Sequence, residues 1–163
     1  MAKLRCVRAP LIAIVQILFV SMAAANDADR GAPVSAGVIF SSSQAERIAK
    51  GWPEPSVAGD YWTPSAAEIA DLERVLPGYL AEFDDARARA IAGKLATYKR
   101  QYLGYVDHGE KFIWVNAFCD DFASQTDWTE RLVVVLDGGT CFFNVRYSAA
   151  RMRFERLMIN GEA

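Results

Sequence analysis

Tyr98–Cys119 reads YKRQYLGYVDHGEKFIWVNAFC, two runs of aromatic and β-branched residues around Asp107-His108-Gly109-Glu110. This pattern predicts a β-hairpin with strands over Tyr98–Val106 and Lys111–Cys119. Downstream, Arg131–Leu136 and Thr140–Ser148 flank Asp137-Gly138-Gly139. That turn signal is the stronger one, because glycine tolerates the positive φ that hairpin turns need. A last strand is expected over Arg153–Ile159, after the connection Ala149-Ala150-Arg151.

Upstream of the hairpin lies the clearest helical pattern. Thr63 is placed to cap a helix and Pro64 suits its first position, where a missing N–H costs nothing. Ile69, Leu72, Leu76, Leu80 and Phe83 recur at spacings of three and four, so they share one face. Pro77 and Gly78 predict a kink or an end near Leu76, with a further turn over Tyr79–Phe83. A second helical piece is expected over Asp85–Leu95, anchored by Ile91 and Leu95. Residues 62–163 therefore read as a single α+β domain, an N-terminal helix packed on an antiparallel sheet of about five strands. Cystatin-like and NTF2-like sheets have this general order, an architectural likeness alone.

The start of the chain reads as a sorting signal. Lys3, Arg5 and Arg8 precede the apolar run Leu11–Met22, and Ala23-Ala24-Ala25 offers small residues to a signal peptidase. The run is shorter than the roughly 20 residues of a membrane span. Residues 1–25 are thus expected to be a cleaved signal peptide, and no membrane contact is expected afterwards. Residues 26–61, rich in Ala, Gly, Ser and Pro, read as poorly ordered or loosely packed, with a short helix over Gln44–Lys50. Cleavage removes three of the 18 basic residues and none of the 20 acidic ones, leaving 15 and 20 and a net charge near −5. Such a chain has no basic footprint for nucleic acid.

Cys119 and Cys141 survive cleavage and are expected to form one disulfide in an oxidising periplasmic or secreted location. Their spacing of 22 residues corresponds to about 3–3.5 kcal/mol in the loop-entropy account. A plain meander opposes this bridge: it places the two cysteines roughly 17–20 Å apart, whereas bridged Cα atoms lie within about 7 Å. The bridge therefore predicts that the 120–130 connection crosses the sheet or folds back.

Few residues have the look of chemistry. His108 sits beside Asp107 and Glu110 but in a tight turn, where solvated polar residues belong. Asp120, Asp121, Asp127 and Glu130 cluster without EF-hand spacing. No nucleophile motif, cofactor motif or metal-ligand set is present, so neither catalytic nor metal residues are assigned. The sheet faces say more. Ile113, Val115, Ala117 and Cys119 alternate onto one face, with Cys141, Phe143, Val145 and Tyr147 their counterparts on the later strand. The other face carries Phe112, Trp114, Asn116, Phe118, Phe142, Asn144 and Arg146, rings mixed with amides and an arginine, the make-up of a partner-binding surface. The alternative is that segment 26–62 folds over this face and buries Trp114 beneath Trp52 or Trp62.

Trp62-Thr63-Pro64, Tyr98–Tyr102, Cys119, Gly138–Phe143 and Asn160–Ala163 together resemble a group of small uncharacterised exported bacterial proteins, over roughly the last 100 residues. The resemblance implies one exported domain with a Cys pair and implies no activity. The leading reading is an exported, non-enzymatic binding module that engages another protein, an inhibitor or immunity-type protein being one concrete form. The rivals are an exported hydrolase acting on cell-wall material through Asp120 and Asp121, and a carrier of a small ligand between helix and sheet. No cofactor is expected, and the oligomeric state is left open.

Overall fold

The computed structural model describes residues 32–34, 37–50, 60–123 and 127–162; the expected signal peptide lies outside them. Its frame is the hairpin of β4 (Tyr98–Asp107) and β5 (Glu110–Cys119), paired from Asp107↔Glu110 to Tyr98↔Cys119. His108 and Gly109 form the two-residue turn with φ of +48° and +81°, the left-handed pair that matches strand twist. Next to β5 runs β6 (Phe142–Ser148), and β7 (Arg153–Ile159) closes that edge. On the other side β2 (Gly37–Ile39) pairs with β4 in parallel, and β1 (Ala32–Val34) pairs with β2. The two-residue β3 (Tyr61–Trp62) also pairs with β4, giving seven strands among the described residues in a mostly antiparallel sheet. The chain is α+β.

Helix α2 (Ala66–Glu82) is capped by Ser65, not Thr63. The Ser65 hydroxyl accepts from the Glu68 N–H and the Glu68 carboxylate accepts from the Ser65 N–H, a reciprocal pair that Thr63 cannot make. Nor does Pro77 end the helix, which runs on to Glu82. Leu76 and Leu80 on either side of Pro77 are fully buried, and that packing outweighs the lost hydrogen bond to the Glu73 carbonyl. Ile69, Leu72, Leu76 and Leu80 form one core with Ile113, Val115, Ala117, Phe143, Val145 and Tyr147. Helix α3 (Ala86–Lys94), capped by Asp85, adds Ala88 and Ile91 to that core.

Part of segment 26–61 is tighter than its composition suggests. Helix α1 (Ser42–Ala49) has a complete capping box at Ser41 and Gln44. Val38, Ile39, Phe40 and Ala45 are all buried. Sheet pairing and apolar burial override a sequence rich in small residues.

The largest correction concerns Arg131–Leu136, which reads as a strand but belongs to no sheet. After the short helix α4 (Asp120–Ala123) the chain turns at Asp127, bends at Arg131 and Leu136, and lies between those bends as a strap over the sheet face. With the strap out of the sheet, β5 and β6 become direct neighbours and Phe118 pairs with Phe142. One step further along this register stand Cys119 and Cys141, bridged with Cα atoms 5.0 Å apart. The fold-back resolves the conflict between disulfide and meander.

A strapped sheet face and its cleft

The seven residues expected to form a contact surface do share a face, but most of it is covered by the same chain. Phe112, Trp114, Asn116, Phe118 and Phe142 are buried, while Asn144 and Arg146 are half-buried. Segment 26–62 does supply cover over Trp114, but through Val38, Phe40 and Ala45 and not through Trp62. Trp114, only 6% exposed, packs with Val38, Phe40, Ala45, Leu103, Tyr105 and Phe112. Trp62 lies on the opposite side, against the helix-facing core, its Nε1 donating to the Tyr105 carbonyl and Lys111 Nζ 4.7 Å above its ring. Trp52 falls outside the described residues. Phe118 and Phe142 sit under the strap with Ala123 and Val133.

Amides hold the strap down. Gln101, Asn116 and Asn144 stand opposite one another on β4, β5 and β6 and form a ladder across the face. Asn144 Nδ2 donates to Asn116 Oδ1 (2.6 Å), and Asn116 Nδ2 donates to Gln101 Oε1 (2.8 Å). The remaining capacity goes to the strap's backbone. Gln101 Nε2 donates to the carbonyls of Trp128 (2.5 Å) and Arg131 (2.6 Å), and its Oε1 accepts from the Val133 N–H (2.9 Å). Asn116 Nδ2 also reaches the Val133 carbonyl (2.7 Å), and Asn160 Nδ2 binds those of Val135 and Asp137. Side-chain amides thus replace the ladder of a neighbouring strand, satisfying backbone groups that burial would otherwise leave costly.

The strap does not close the face completely. A cleft of about 200 Å³ remains between it and the sheet, with Trp114, Asn116, Phe142 and Asn144 on its floor, Leu132–Leu136 along one wall and Asn160 at its end. Four of the seven candidate residues therefore line one cavity. Leu136 stands at its rim, 89% exposed. Asn144 Oδ1 accepts no hydrogen bond among the described residues.

Arg146 is drawn instead into a charged cluster at the hairpin end. Its Nη1 pairs with Asp107 (2.9 Å), its Nη2 lies 3.5 Å from Glu155, and its guanidinium stacks 3.6 Å from the Phe112 ring centre. Glu110 accepts from Ser148 Oγ (2.5 Å) and pairs with Arg151 (2.7 Å). The Ser148 hydroxyl first, and the Arg151 guanidinium beside it, hold the Glu110 carboxyl below its usual range. His108 is 96% exposed in its turn, 3.7 Å from Asp107. A second, inner group lies beneath α2, where Glu73 Oε1 accepts from Tyr102 Oη (2.8 Å) and pairs with Arg100 (3.1 Å). Burial first, then the Glu73 charge, push the Tyr102 hydroxyl upward. Tyr98 is pushed up to about 12 by burial and donates to the Thr140 carbonyl, bracing the turn before Cys141. Asp120 pairs with Lys99 at 3.2 Å, and Asp127 and Glu130 are exposed. Among the described residues, no group of three or more His, Cys, Asp or Glu is placed to hold a metal ion, and no helix is long and apolar enough to cross a membrane.

No family model, curated protein or solved structure matches the chain. Sequence reasoning missed Gln101, Leu136 and Asn160. Gln101 alternates onto the face of Leu103 and Tyr105, a polar residue in an apolar series, and that was a usable signal.

Proposed function

We propose that this chain is an exported binding module whose contact point is the cleft beside the strap, and that its partner is another protein. The observation that carries this reading is the placement of Asn144, whose Oδ1 accepts from no described residue, and the exposed Leu136 along one aromatic-floored cleft. A protruding apolar side chain with a polar edge, such as a partner's Tyr or Leu flanked by its backbone N–H, suits that combination. The size favours a side chain over a free ligand: about 200 Å³ lies below the roughly 300–1,000 Å³ of pockets that enclose small molecules. The disulfide supports an oxidising compartment, in keeping with the signal-like N-terminus. An inhibitor or immunity-type role is the concrete form of this reading. It is preferred over hydrolysis because Asp120, one of the two carboxylates that reading would use, is paired with Lys99.

The test is capture of exported proteins on the immobilised chain, with Leu136→Asp and Asn144→Ala in parallel. Leu136→Asp should melt close to the parent, Asn144→Ala should melt lower because the buried Asn116 Oδ1 loses its donor, and both should lose whatever the parent retains. A partner held equally by all three proteins would refute the cleft as the contact point.

A further inference from the structure

On the helix side of the sheet, where α2 meets the turn between β6 and β7, a pocket of about 100 Å³ is lined by Glu68 and Asp71 of α2, Tyr147 of β6, and Ala149 and Met152 of the turn. Acids near the start of a helix are commonplace, and Glu68 already serves the cap. What marks this pocket is Tyr147. The residue is only 3% exposed and its ring packs 5.0 Å from that of Phe154, centre to centre. Its hydroxyl nevertheless makes no hydrogen bond among the described residues. Nor is that hydroxyl sealed from solvent, so the pocket is where it emerges. Burial first, then the Asp71 charge, push it upward, with Arg74 opposing; the hydroxyl therefore stands in the field of the α2 side chains. Polar groups of such buried residues are nearly always paired, and this one is free to pair with a group that enters.

We infer that this pocket binds a primary alkylammonium group, the end of a lysine side chain or of a free amine. The acceptors match that group in number. Glu68 commits Oε2 to the Ser65 N–H and hydroxyl, which leaves Oε1. Asp71 commits Oδ1 to Arg74 at 3.3 Å, which leaves Oδ2. With Tyr147 Oη these make three single acceptors, and an ammonium carries three donors on one nitrogen. A guanidinium grips one carboxylate through two parallel N–H groups, and neither carboxylate here has both oxygens free. The charges agree as well. Two carboxylates and the Arg74 guanidinium leave one negative charge, which one ammonium neutralises. Ala149 and Met152 form the apolar wall along which an alkyl stem can lie. Met152 is 55% exposed and held at a φ of +51°, a conformation uncommon outside glycine.

Titration of the isotope-labelled protein with n-butylammonium chloride, followed by amide and methionine-methyl NMR shifts, decides the matter, with sodium chloride at equal ionic strength as the reference. Saturable shifts centred on Ala149 and Met152 are expected, with Kd on the order of millimolar because the carboxylates stand close to water. Tyr147→Phe keeps the ring and removes a hydroxyl that has no described partner, so it should fold as the parent does and weaken binding by about five- to tenfold. Asp71→Asn, at an exposed position, should do the same. n-Propylguanidinium should bind more weakly than n-butylammonium. Shifts reproduced by sodium chloride, a Kd unchanged in either variant, or a guanidinium held as tightly as the ammonium would each overturn the inference. N-acetyl-lysine methylamide separates the two sources: binding as tight as that of n-butylammonium marks a partner's lysine, and binding of n-butylammonium alone marks a free amine. Leu136→Asp should leave all of these shifts unchanged, so the pocket is tested apart from the cleft.

Discussion

Replacing Asn116 by Leu tests whether amides, not apolar packing, hold the strap. The side chains are close in shape, so the change removes hydrogen bonds with little change in volume. Three bonds disappear: those to Gln101 Oε1, the Val133 carbonyl and Asn144 Nδ2. Their consequences differ. Gln101 Oε1 keeps the Val133 N–H, and half-buried Asn144 can turn to water. The Val133 carbonyl is left without its donor at a residue only 6% exposed. An orphaned buried acceptor costs about 1–3 kcal/mol, and the lost bonds around it add roughly one more. The expected destabilisation is about 2–3 kcal/mol. For a chain of this size that lowers Tm by roughly 4–12 °C.

The spatial pattern of the effect is as diagnostic as its size. Hydrogen exchange at the Val133 amide should accelerate in the variant more than exchange at Tyr102 or Val115 in the sheet, because the strap opens locally before the sheet unfolds. Calorimetry and amide exchange on parent and variant measure both quantities. A Tm within about 2 °C of the parent, with Val133 protection unchanged, would show that apolar packing alone holds the strap.

Trp114→Ala should cost about 3–5 kcal/mol, the range for truncating a buried aromatic; a thermal melt lowered by only a degree or two would return the ring to the surface. Glu110 provides the pH test. Its folded-state carboxyl titrates below the unfolded one, so its contribution is fully present above the unfolded value near 4.3 and fades as pH falls through the folded one. Chemical denaturation between pH 7 and pH 3 should show a smaller acid-induced loss in Glu110→Gln than in the parent, and equal losses in the two would contradict the Ser148 and Arg151 contacts.

What could be read from the sequence, and what could not, divides along physical lines. Alternation is a local property, so the two faces of β5 and β6 were legible residue by residue, down to Trp114 sharing a side with Phe142 and Asn144. Helix caps depend on neighbouring side chains and were legible only in part: Thr63 and Ser65 are both competent, and Glu68 decides for Ser65 by completing the reciprocal pair. Pro77 misled because its local cost is real but smaller than the burial of Leu76 and Leu80. Arg131–Leu136 misled most, since β propensity says that a segment is extended and not which groups satisfy its backbone.

What covers a sheet face is a long-range question, and the sequence contained one long-range constraint, the cysteine pair. Followed strictly, that constraint excludes the meander: bridging Cys119 to Cys141 makes β5 and β6 neighbours and forces the Val-rich segment between them out of the sheet. A chain that leaves the sheet and lies on it needs hydrogen-bond partners from the face beneath. Asn116 and Asn144, with Gln101 opposite Asn116, are those partners. The amides that looked like equipment for an external contact are spent on an internal one. On this side of the sheet the site that remains for another molecule is therefore the part of strap and face that this arrangement leaves open: the cleft lined by Trp114, Phe142 and Asn144, with Leu136 exposed beside it.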